Sequence, residues 1–183
     1  MSEYLQQTGK QVGGFRTFLE QLSMGFGYNA YGKEASIRSD DQILRNRACQ
    51  LLNEGKQALQ QRAQEWKRQH LTCTREHPVP SPTDIAAGKE MDATIQKLAA
   101  LETQIHNASV PQDNPTWDRH RDSQLFLPQL LEADGELLQS VSRLRDLSSL
   151  SSTTVSAFVD SIHEVESAWK HRQSVFSGFF SIS

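Results

Sequence analysis

Apolar and small residues recur at steps of three and four through four long stretches of the chain, the spacing of one helical face. The first stretch runs over residues 40–76. Leu44, Ala48, Leu51, Leu52, Gly55, Leu59, Ala63, Trp66 and His70 form its stripe, and no proline interrupts it. Leu52, Leu59, Trp66 and Cys73 fall seven residues apart, the seam spacing of packed long helices. Such a helix would be roughly 55 Å long. Ser39 or Asp40 is placed to cap it and Asp41 to complement its dipole, and Pro78 sets the limit beyond which it cannot continue.

Three shorter stretches follow. Ser81-Pro82-Thr83-Asp84 combines a capping serine, a proline at the first helical position and an early acid, and opens a helix over 82–107. Its expected stripe is Ile85, Gly88, Met91, Ile95, Leu98, Leu101 and Ile105. The next helix, over 124–150, carries Phe126, Leu130, Ala133, Leu137, Val141, Leu144 and Leu147. Asp134-Gly135 inside it reads as a place where the helix bends or weakens. The last, over 153–176, turns Val155, Phe158, Val159, Ile162, Val165, Trp169 and Phe176 inward.

The ends of the chain break this pattern. Residues 1–39 hold six of the ten glycines, with Phe15, Phe18, Leu19, Leu22 and Phe26 forming a short amphipathic stripe between them. Residues 177–183 are apolar and glycine-broken, with Phe179 and Phe180 beside the last stripe residue, Phe176. The longest interior connector, 108–123, contains Pro111, Pro115 and Trp117 among charges. The predicted fold is therefore all-α: an elongated antiparallel four-helix bundle over 40–176, an additional short N-terminal helix or arm over 1–39, and an apolar tail over 177–183. In that arrangement both Phe/Gly-rich termini reach the same end.

Composition narrows the function more by exclusion than by signature. A hydrophobic share of 37% and the scarcity of β-branched and aromatic runs fit helices with much wet surface. Nineteen basic and 22 acidic side chains balance too closely for a nucleic-acid surface, and the small clusters Lys67-Arg68 and Arg119-His120-Arg121 are interrupted by acids. Two cysteines, Cys49 and Cys73, would sit roughly 36 Å apart on one helix and form no disulfide framework. No secretory signal or apolar run of membrane length is evident, so the expected compartment is cytoplasmic.

Phosphate loops, nucleophile elbows, HExxH and the Glu-x-x-His signature of di-metal bundles do not occur in the sequence. His70, Cys73 and His77 would share a face of a continuous helix and are of zinc-binding type, with Asp84 or Asp146 as a fourth ligand. The commoner meaning of such residues is an interior pair and a solvated helix end, and no cofactor or metal is expected. Glu132 and Glu136, one turn apart, read as a solvated face rather than a catalytic pair.

The expectation is a non-enzymatic adaptor, chaperone-like or scaffold protein working through protein–protein contact. Its partner-binding residues would be Phe15, Phe18, Leu19, Leu22, Phe26, Trp117, Phe176, Phe179 and Phe180. Two rivals use the same aromatic residues. One is peripheral membrane attachment, against which the missing lysine-rich face counts. The other is a self-assembling, homo-oligomeric subunit whose termini complete a neighbour.

Overall fold

The computed structural model describes residues 37–72, 79–109, 126–150 and 154–180. Of these, 91% are helical and none is in a strand, an all-α helical bundle. The helices are α1 (Ile37–His70), α2 (Pro82–His106), α3 (Phe126–Ser149) and α4 (Val155–Phe180). The expected short N-terminal helix and the connector with Trp117 lie outside the described residues.

Each boundary has a local cause, and several differ from the sequence reading. Helix α1 is already helical at Ile37, so Ser39 and Asp40 lie within it rather than at its cap, and Asp40 and Asp41 are buried. It ends at His70, six residues short of the expected 76. The amide of Leu71 still reaches the Lys67 carbonyl at 2.8 Å. The Thr72 hydroxyl then donates to the Arg68 carbonyl at 2.5 Å. Helix α2 starts as its sequence dictates: Ser81 is extended, at φ −65° and ψ 147°, and its Oγ accepts the Asp84 amide at 3.1 Å. Helix α3 passes unbroken through Asp134-Gly135. Helix α4 continues through Gly178 to Phe180, so residues 177–180 belong to a helix rather than to a tail.

The described residues fall into two compact units. One holds 37–47, 109, 126–139 and 168–180; the other holds 48–72, 79–108, 140–150 and 154–167. Leu44, Leu130, Ala133, Leu137, Leu138 and Trp169 make the buried apolar set of the first. In the second, Leu51, Leu52 and Leu59 of α1 bury with Leu98, Leu101 and Ile105 of α2, Val141 and Leu144 of α3, and Phe158, Ile162 and Val165 of α4. The stripes of α1, α3 and α4 are thus largely the expected ones.

In the second unit α1 and α2 are also joined by charge. Lys56 holds Glu102, and Lys67 Nζ reaches both oxygens of Asp92 at 2.6 and 2.8 Å, residue numbers rising on α1 as they fall on α2. Following that order, Gly88 of α2 faces Trp66, Lys67 and Leu71 at the end of α1. Ile85 lies nearly a turn further on, where the helical surface of α1 has stopped, and is 38% exposed. Met91 and Ile95 are only half-buried, while Thr94 is buried with its hydroxyl on the Glu90 carbonyl. The early half of the α2 stripe is therefore less covered than its pattern promised.

Candidate functional site

The least expected feature of the first unit is a cluster of buried charge. Arg172 of α4 is 2% exposed. Its Nη1 donates to Asp41 Oδ1 of α1 at 2.9 Å and its Nε to Asp134 Oδ1 of α3 at 2.6 Å. Arg45, one turn after Asp41, donates to the other Asp41 oxygen, so two guanidiniums face two carboxylates. The Arg172 guanidinium also lies 5.6 Å from the Trp169 ring centroid and 4.8 Å from that of Phe176. Contacts of this kind add to its hold when water is excluded. The indole nitrogen of Trp169 is buried with no hydrogen-bond partner among the described residues.

This arrangement fixes position rather than performing chemistry. Each charge is met by an opposite one inside the protein, so little is presented to a ligand. Burying ions costs several kcal/mol each, and only close, hydrogen-bonded geometry offsets that. Sliding any one of the three helices by a turn would strand a charge without its partner. The cluster therefore sets the mutual register of the beginning of α1, the beginning of α3 and the end of α4.

Register matters here because of what leaves this unit. Ile37 lies about 6 Å of helix from Asp41, Phe126 about 12 Å from Asp134, and Phe180 about 12 Å from Arg172. At Ile37 the chain arrives from the segment with Phe15, Phe18, Leu19, Leu22 and Phe26; at Phe126 it arrives from the connector with Trp117. Those six residues lie outside the described residues. Phe176 is half-buried against Arg172, and Phe179 and Phe180 are the last two residues of α4.

The other expected groups do not converge. His70 is exposed and stacks on Trp66, with ring centroids 4.7 Å apart and planes 17° apart. Cys73 and His77 lie outside the described residues, and with α1 ended at His70 the continuous helix that grouped them is interrupted at Leu71 and Thr72. Among the described residues no three His, Cys, Asp or Glu side chains could hold a metal ion. Glu132 is exposed, and Glu136, half-exposed, takes His171 Nδ1 at 2.7 Å, so this pair lies on a solvated face.

The signal for this cluster is present in the sequence, at positions that the helix pattern alone does not connect. Asp41 is three residues before Leu44, Asp134 four after Leu130, and Arg172 three after Trp169. All three are charged residues at positions of an apolar stripe. Helix-start rules instead assigned Asp41 to the dipole, and the neighbouring glycine made Asp134 look like a weak point.

No protein family, curated protein or solved structure matches the chain.

Proposed function

We propose that this protein is a non-enzymatic helical adaptor or scaffold, chaperone-like in its mode of contact, that holds a protein partner through its Phe/Gly-rich terminal segments and the connector bearing Trp117. One observation carries the reading. Both terminal stretches join helices of a single unit, that unit is pinned by Asp41, Asp134 and Arg172, and the Trp117 connector runs into it at α3 from α2 of the other unit. Aromatic anchors at helical spacing on glycine-rich chain suit recognition in which order is gained on contact. Among the described residues no helix is long and apolar enough to cross a membrane.

The test is affinity capture from native extract, with co-purifying proteins identified by mass. Full-length protein is compared with the Phe15→Ser/Phe18→Ser and Phe179→Ser/Phe180→Ser variants. The reading expects a partner that is retained by the full chain and lost or depleted with the variants. Equal recovery by the full chain and by a variant combining all four changes would sink it. Binding of the wild-type chain to phosphatidylcholine–phosphatidylserine vesicles, lost in the same variants, would move the function to a membrane surface. Concentration-dependent assembly of the purified chain, abolished by the same changes, would move it to self-assembly.

A further inference from the structure

We draw no further inference here: the strongest candidate, the open pocket of about 670 Å³ that the second unit forms between Arg62, Glu65 and Trp66 of α1, Met91 of α2 and Phe158 of α4, carries nothing, because Arg62 is held by the Leu150 carbonyl and the Phe158 ring, Glu65 by Arg68 and Gln69, and nothing in the structure shows what covers it.

Discussion

Arg172 is the side chain on which most depends at the residue scale. Replacing Asp134 by alanine leaves that guanidinium buried with half of its carboxylate partners gone, and should cost about 3–5 kcal/mol. The double variant Asp134→Leu/Arg172→Met removes the pair while leaving Asp41 with Arg45, and should be less destabilised than Asp134→Ala alone. Urea unfolding followed by tryptophan fluorescence reads both. An additive result, with the double variant worse than the single, would mean that the pair is not coupled. Pattern rules sort positions into apolar and polar faces, and they place a charge on an apolar face only as a defect. What makes Asp41, Asp134 and Arg172 a set is that three segments far apart in the chain meet, and no single helix contains that information.

At the scale of the element, glycine gives the sharpest comparison. A Cβ at Gly55 would stand 3.0 Å from Leu144 Cδ2 and 3.5 Å from the Arg145 Cα, with Leu144 fully buried and unable to move aside. Gly55→Ala should therefore destabilise: overpacking costs about 1–3 kcal/mol against a gain of about 1 kcal/mol in helix propensity. At Gly88 the nearest atoms are the far ends of Leu71 and Trp66, at 3.3 and 3.5 Å. Both side chains are only half-buried, so Gly88→Ala should stabilise by up to about 1 kcal/mol. Opposite shifts in melting temperature are the expected outcome, and shifts of the same sign would refute the distinction.

Helix existence and type were legible from the stripes, and the start of α2 was legible to the residue because Ser81 and Pro82 act locally. Ends were less so. Helix α1 stops at His70, and the extension of α4 to Phe180 shows Gly178 tolerated near a helix end, where its propensity cost is about 1 kcal/mol. Neither changes the spacing of apolar residues, so the periodic signal could not register them.

For the whole molecule, the Asp41–Arg172–Asp134 cluster has a consequence for how strongly a partner could be held. On the adaptor reading, the two terminal grips are rooted in one unit, and the Trp117 connector joins that unit at α3. A partner caught by one grip meets the others at an effective concentration in the millimolar range rather than at its bulk concentration. Damage to one grip is then partly masked by the rest. Phe15→Ser/Phe18→Ser and Phe179→Ser/Phe180→Ser should each weaken a recovered partner modestly. All four changes together should lower the apparent affinity by about 10²–10⁴, measured by biolayer interferometry on monomeric partner. Equal effects of the single pairs and the combined variant would mean one grip acts alone. A buried ion pair would then be an instrument of avidity: loosening it at Arg172 would spread the three roots and weaken the partner's hold without altering a single contacting side chain.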